Sequence, residues 1–278
     1  MMMQSWLNEF WYGQLKRPYR LAKTYDHGTG TAIILLHGLG RSGSVWLRVM
    51  ELLAADASAA CRVVAYDLLG FGESPKPTRI EYTADDQALA VIARIVQLRN
   101  SKPVIIVGHS MGCLVAVRVA RLRPDLVRHL VLYEMPLYEG LPEKWRYRAR
   151  LNAYFRFYEW VSRQNPTFDE VNRKFKGRVA ARVVGTEITA NTWQPFIKSL
   201  KNTIMKQTAA ADLPTLTMPS DIIYGSRDLL VIRGKVQEVL GLDSKLVTLH
   251  TIKERHAISP EGSKFIVDRI KTALQKKI

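Results

Sequence analysis

The sequence predicts an α/β fold: a mostly parallel sheet flanked by helices, with a helical segment inserted in it. Two observations predict it. Short β-type runs alternate with longer helical patterns, which is the signature of strands returning in parallel through covering helices. From Pro136 to Leu213 the alternation stops and the spacing becomes helical throughout. No internal repeat or low-complexity segment is visible.

Taken in order, TAIILLHG is followed by a helical stretch from about Val45, and CRVVAYD by one from about Ala84 to Arg99. PVIIVGHS is followed by one from Gly112 to Leu122. RHLVLYE and SDIIYGS continue the set and KLVTLHT closes it. The interrupting segment is rich in aromatic residues and arginine (WRYRARLNAYFRFYEW) and lies between Pro136 and Pro214, and prolines punctuate structure. The expected organisation is therefore a core from 1–135 and 214–278, with 136–213 as a helical cap over one edge of the sheet.

Composition limits the class. A chain of 278 residues with 47% hydrophobic content can bury one large core. No apolar run approaches the roughly 18 residues a membrane helix needs, and AIILL has a strand's length. The first residues lack the basic start, apolar stretch and cleavage site of a secretory signal. Two cysteines, Cys61 and Cys113, have no metal-knuckle or redox spacing. The expected location is the cytoplasm. The 41 Lys and Arg against 25 Asp and Glu give +16, but no zinc-finger spacing or RNA-binding signature accompanies them, so nucleic acid is not an expected partner. Solubility accounts for the charge more simply.

The stretch most informative about chemistry is GHSMG, residues 108–112, where an apolar strand meets a helix. A serine between glycines at such a turn has its backbone strained and its Oγ thrust out above the sheet, because Gly108 and Gly112 stand where a Cβ would clash. Ser110 is thus the candidate nucleophile. At the helix start, backbone N–H groups and the positive end of the dipole favour developing negative charge. A serine needs a base, and the base needs an orienting group. Of the six histidines, His256 in KERHAIS lies a few residues past the last strand, where a loop can bring it back to the strand ends. Asp228 ends IIYGSRD at the edge where such sheets gather functional groups. Glu134, ending LVLYE, is the alternative acid. The chain order serine, acid, histidine suits this arrangement.

With these motifs in view, the chain from about Pro18 onward resembles the α/β-hydrolase fold family of the type with a helical cap. HGLG at 37–40 is similar to the family's oxyanion loop, DLLGFGES at 67–74 to its D-x-x-G-x-G-x-S stretch, and GHSMG to its nucleophile elbow. The resemblance implies an oxyanion hole from the backbone N–H groups of Leu39 and Met111, with His37 and Gly38 supporting the loop. One departure is Arg255, where the family often has glycine before the histidine. The implied activity is acyl transfer to water, needing no metal or organic cofactor, on a carboxylic ester of small or medium size. A serine at the elbow argues against the epoxide-hydrolase and dehalogenase branches. Carbon–carbon cleavage of a diketone-type substrate is the alternative, and a ligand receptor or membrane-surface binding protein on the same fold is the alternative of another class.

The expected partner is a small molecule. The cap segment holds 14 Lys and Arg against 7 Asp and Glu, which suits an anionic substrate, though solvent faces of amphipathic helices carry such charge ordinarily. Trp145, Tyr154, Phe155, Tyr158, Trp160 and Trp193 are candidates for an apolar pocket or for helix packing. Met1 to Leu15, with Trp6, Phe10 and Trp11, reads as an amphipathic helix that packs on the protein's own body, with weak membrane-surface contact as the alternative.

Overall fold

In the computed structural model, residues 18–56, 59–100, 102–137, 163–174, 187–228 and 246–276 are described, with 156, 159–161 and 239 besides. The amphipathic N-terminal segment and the aromatic positions 145, 154, 155 and 158 lie outside them.

Seven strands form one sheet: β1 (Lys23–Gly28), β2 (Thr31–Leu36), β3 (Cys61–Tyr66), β4 (Val104–His109), β5 (Val127–Tyr133), β6 (Ser220–Gly225) and β7 (Val247–Ile252). Their spatial order is β1-β3-β2-β4-β5-β6-β7. From β3 across to β7 every pairing is parallel, and β1 pairs antiparallel with β3 at the edge. Sequence patterning does not show β1, because KTYDHG is polar and its strand is largely exposed. It is held instead by its ladder, starting at Lys23↔Tyr66, and by an Arg62–Asp26 pair beside it.

The apolar runs follow from burial on both faces. Along β2, Ile34 and Leu36 enter one hydrophobic cluster while Ile33 and Leu35 enter the other. The same division separates Ile106 from Ile105 and Val107 on β4, and Leu130 and Leu132 from Val131 on β5. Period-two geometry sends alternate side chains to opposite sides, so a strand covered twice leaves few positions for polar residues, and His129 of β5 and Asp221 of β6, both buried, bond each other at 2.7 Å. Helices α1 (Leu47–Ala55) and α7 (Pro260–Gln275) cover one face, supplying Val49, Leu53, Ile266 and Ile270. Helices α2 (Ala84–Gln97) and α3 (Met111–Leu122) cover the other, supplying Val91, Ile95, Val115 and Val119.

Helix starts are encoded locally. Thr83 accepts from the Asp86 N–H at 3.1 Å while Asp86 accepts from the Thr83 N–H at 2.9 Å, a reciprocal capping box that opens α2. Ser259 caps α7 by accepting from Gly262, and Pro260 occupies the first turn, where a missing N–H costs nothing.

Between 136 and 213 the described residues include α4 (Phe168–Lys174), α5 (Ala190–Ser199), a π-helical turn (Leu200–Met205) and α6 (Ala209–Asp212). They are tied to the body. Arg118 of α3 reaches both carboxylate oxygens of Asp212, at 3.0 and 3.2 Å, and Asp85 of α2. Thr203 donates to the Tyr82 carbonyl at 2.6 Å, and Asn202 to that of Glu81 at 2.8 Å. Pro195 of α5 closes over Gly70, whose absent Cβ leaves room for that ring and for Tyr82. Trp193 stacks on Phe196 and donates to the Pro166 carbonyl, so it works in helix packing. Trp160 sits beneath the Lys174 ammonium, 4.0 Å from it.

Strand order reverses between β2 and β4, which are neighbours, while β3 lies beyond β2 on the far side. In open α/β sheets this switch point is where a crevice opens at the strands' carboxyl ends. Both HGLG and GHSMG begin there, side by side, since Leu36 is in register with Gly108.

Thr83→Ala removes half of the capping box and is expected to cost about 1 kcal/mol. Urea denaturation measures it, with an unchanged m-value as the sign that only the native helix start was weakened.

Candidate active site

Ser110 sits between β4 and α3 at φ +52°, ψ −120°, a conformation that side-chain-bearing residues rarely adopt. The strain is imposed by close approach. A Cβ on Gly108 would stand 2.7 Å from the Cα and N of Cys113, and one on Gly112 would run into the carbonyl oxygens of Leu36 and His37. Backbone bonds lock the turn: the Ser110 N–H donates to the Tyr133 carbonyl at 3.0 Å, and the Cys113 N–H to the Ser110 carbonyl at 2.9 Å. The serine is 9% exposed, so its hydroxyl is sheltered but reachable.

His256 comes to this hydroxyl from a loop 146 residues away. Its Nε2 lies 3.0 Å from Ser110 Oγ, and its Nδ1 lies 2.7 Å from Asp228 Oδ2. An ionised carboxylate can only accept, so Nδ1–H donates and Nε2 is left to accept the serine's proton. Asp228 is 4% exposed. The two loops that carry Asp228 and His256 are bonded to each other, Ser226 N–H to Ile252 O at 2.6 Å and Arg227 N–H to Glu254 O at 2.9 Å. Glu134 is fully buried nearby, with Oε1 accepting from the Gly225 N–H at 2.5 Å.

Met111 is the first residue of α3, so its N–H emerges from the helix's open end beside Ser110. Leu39 lies in the neighbouring loop, and Gly38 approaches so closely that a Cβ there would be 3.1 Å from the Ser110 Cβ. A web of buried polar groups shapes that loop. His37 accepts the Leu68 N–H on Nε2 at 2.8 Å, which leaves Nδ1 to donate to the Gly38 carbonyl at 2.7 Å. Burial holds the His37 imidazole below its usual titration range, consistent with a neutral ring making both bonds. Asp67 accepts from Gly43 N–H at 2.7 Å and Glu73 N–H at 2.8 Å, joining HGLG's flank to the DLLGFGES loop. Ser74 donates to the Asp67 carbonyl and accepts from the Ala22 N–H, while Gln87 clasps Leu69 through both its amide atoms. The polar residues of that stretch are thus braces on the loop bearing Leu39. From the segment between 136 and 213, the Glu187 N–H donates to the Gly40 carbonyl at 2.7 Å and its carboxylate accepts from Ser42 at 3.0 Å.

Sequence reasoning did not assign the role His109 plays. Its ring donates from Nε2 to the carbonyl of His256 at 2.8 Å, and packs edge-on against Trp46. The second histidine of the site therefore seats the loop that delivers the first. Burial, followed by the closeness of His256, pushes its pKa down to about 3. The signal in the sequence was position alone: His109 is the last residue of β4 and adjoins Ser110.

Residues 33–256 match the family model described as "Alpha/beta hydrolase family". The chain is 29% identical to 2-hydroxymuconate semialdehyde hydrolase of Pseudomonas sp. (strain CF600), over 54% of this chain and 48% of that protein. It is 28% identical to a protein of Oryza sativa subsp. japonica named a probable esterase, over 80% of this chain and 84% of that one. Of three longer Arabidopsis thaliana relatives, each named a probable lysophospholipase, it spans only 21%, 26% and 23% of the length. A thermophilic esterase from Thermogutta terrifontis shares the fold, with a TM-score of 0.66 at 21% identity, covering 92% of this chain and 93% of that one.

Because His109 is neutral when folded and gains a proton near pH 6.5 when unfolded, the unfolded state binds more protons as pH falls. Stability present above that point is lost progressively from about 6.5 down to about 3. His109→Gln keeps a donor toward the His256 carbonyl but cannot titrate. Denaturation midpoints followed from pH 7 to 4 are expected to fall less steeply in this variant than in the parent.

Proposed function

The chain belongs to the alpha/beta hydrolase family, and from that premise we propose that it is a serine hydrolase cleaving a carboxylic ester of small or medium size through an acyl-enzyme intermediate. The observation that carries this reading is the hydrogen-bonded sequence Ser110 Oγ, His256, Asp228, at 3.0 and 2.7 Å. Ser110 attacks the ester carbonyl as His256 Nε2 takes its proton. The resulting imidazolium returns that proton to the departing alcohol, and a water repeats the cycle on the acyl group. Asp228 holds the ring's tautomer and offsets the imidazolium charge. The oxyanion is received by the N–H groups of Leu39 and Met111, each such donor contributing about 3 kcal/mol to transition-state stabilisation.

Carbon–carbon cleavage of a diketone-type substrate is the second reading, favoured by the likeness to a 2-hydroxymuconate semialdehyde hydrolase. The same serine, histidine and acid serve it, and the substrate alone differs. The aliphatic and aromatic packing of α5 and the net charge of +16 are compatible with either, with an anionic group on the substrate suited to the charge.

A fluorophosphonate probe is expected to label the parent at Ser110 and to leave Ser110→Ala unlabelled, with turnover of p-nitrophenyl esters abolished in that variant and its melting temperature retained. Hydrolysis by Ser110→Ala at the parental rate would remove Ser110 from the reaction. A panel of esters of increasing acyl length, run beside a vinylogous diketone acid, is expected to give the higher kcat/KM on the esters; the reverse ranking selects the second reading. For the acid, Asp228→Asn is expected to lower kcat more than Glu134→Gln does, measured on the best ester of that panel.

A further inference from the structure

Glu134 is a carboxylate that the mechanism above leaves unused, yet the fold holds it in a demanding position. It follows the last residue of β5 at φ +53°, outside the region a glutamate ordinarily adopts, and it is 0% exposed. Its N–H donates to the Ile223 carbonyl at 2.9 Å, and its Oε1 accepts from the Gly225 N–H at 2.5 Å. Gly225 has no room for a Cβ, because Glu134 Oε1 and the Glu254 carbonyl fill that space. A strained backbone, a required glycine and a buried acid thus serve one placement. That placement is beside the proton relay: a carboxylate oxygen of Glu134, one of Asp228 and a ring nitrogen of His256 all lie within 4.8 Å of one another.

The titratable neighbours indicate what the charge acts on. Cys113 on α3, Tyr224 on β6 and Tyr133 on β5 are all pushed above their usual ranges, by burial first and by the nearby Glu134 charge as well. Glu254 and Asp228 add to the negative field at Tyr133. Each of these groups is an acid that the carboxylate keeps neutral or repels. His109, whose ring centroid is 5.2 Å from that of His256, is kept neutral by burial and brings no positive charge to the cluster. His256 is the base within reach of Glu134, and an imidazole gains charge in the reaction.

We propose that Glu134 is a positioning residue of the same site: held on the Gly225 N–H, it places a second negative charge beside Asp228, so that the imidazolium formed as Ser110 loses its proton is stabilised by two carboxylates. The inference rests on the serine-hydrolase reading. Asp228 makes the direct bond to Nδ1 and fixes the tautomer, whereas Glu134 acts through space and through the strand end that leads to Asp228. A purely structural clamp would need only an acceptor for the Gly225 N–H; the field on His256 needs the charge.

Glu134→Gln separates the two, since its carbonyl can still accept from Gly225 while the charge is gone. The expected result is a melting temperature within about 2 °C of the parent, kcat lowered roughly three- to tenfold, and the acid limb of the kcat/KM profile moved to lower pH by about half a unit or more. Asp228→Asn loses the tautomer as well as a charge, by as much as roughly ten-thousandfold in kcat, and Asp228→Asn/Glu134→Gln is expected to be slower still. A Glu134→Gln profile that overlays the parent's, or a double variant no slower than Asp228→Asn, overturns the proposal. Should Glu134→Gln not fold, Glu134→Asp, which draws the charge back from His256 by one methylene, decides by the same readout: an acid limb moved to lower pH supports the second charge and one that overlays the parent's refutes it. Ser110→Ala keeps the outcomes distinct, because residual turnover there defeats the serine reading, whereas an inactive Ser110→Ala beside an unaltered Glu134→Gln profile defeats this inference alone.

Discussion

Everything at this site depends on how closely the start of α3 is pressed against the end of β2. Gly112 lies where any Cβ would strike the Leu36 and His37 carbonyl oxygens, and Gly108 where one would strike Cys113. That contact forces Ser110 into a positive φ and leaves the first N–H groups of α3 facing the crevice. A looser turn would relax the serine and draw its hydroxyl back toward the sheet. Strain of this kind costs on the order of 1–3 kcal/mol and persists only where the surroundings over-determine it. Here the surroundings are two strands at the buried centre of the sheet, paired in register from Ile33↔Ile105 to Leu36↔Gly108.

Around that contact the fold uses buried polar groups as fixed connectors. His37, Asp67, Ser74 and Gln87 each bond backbone N–H or C=O groups of the segments that follow β2 and β3. Irregular backbone is tolerated in the interior only when its donors and acceptors are satisfied. These bonds join the loops after β2 and β3 into one body, and His109, at the end of β4, extends it to the loop of His256 after β7. Two neutral histidines, His37 and His109, thus hold the frame, and the third is left accessible to Ser110. Burial explains the division of labour: a ring sealed from water resists protonation, while His256, with 14% of its side chain exposed, keeps access to solvent.

The chain's patterning made the sheet legible because nearly every central strand is apolar on both faces, and the alternation with helices then leaves few topologies. The polar edge strand β1 escaped that pattern, since Lys23 to Gly28 owes its conformation to the ladder with β3 and not to its own residues. GHSMG was legible for a different reason: close packing demands glycine at set intervals, and that demand is written locally. Long-range placement is not. That His109 would bond the His256 carbonyl, or that Glu187 would reach back to Ser42, depends on separations of 147 and 145 residues, which no local rule encodes.

By itself, then, the sequence determined the α/β class, the order of the central strands' apolar runs and the elbow with its serine, since each follows from periodicity or from the steric needs of a few adjacent residues. It left two strand-end acids, Asp228 and Glu134, both eligible. The tertiary structure puts Asp228 Oδ2 2.7 Å from the imidazole Nδ1 and Glu134 Oε1 on the Gly225 N–H. The physical reason is that hydrogen bonding is decided over fractions of an ångström, by how β5, β6 and two loops pack, and residues so far apart along the chain acquire that relation only when the whole sheet has formed.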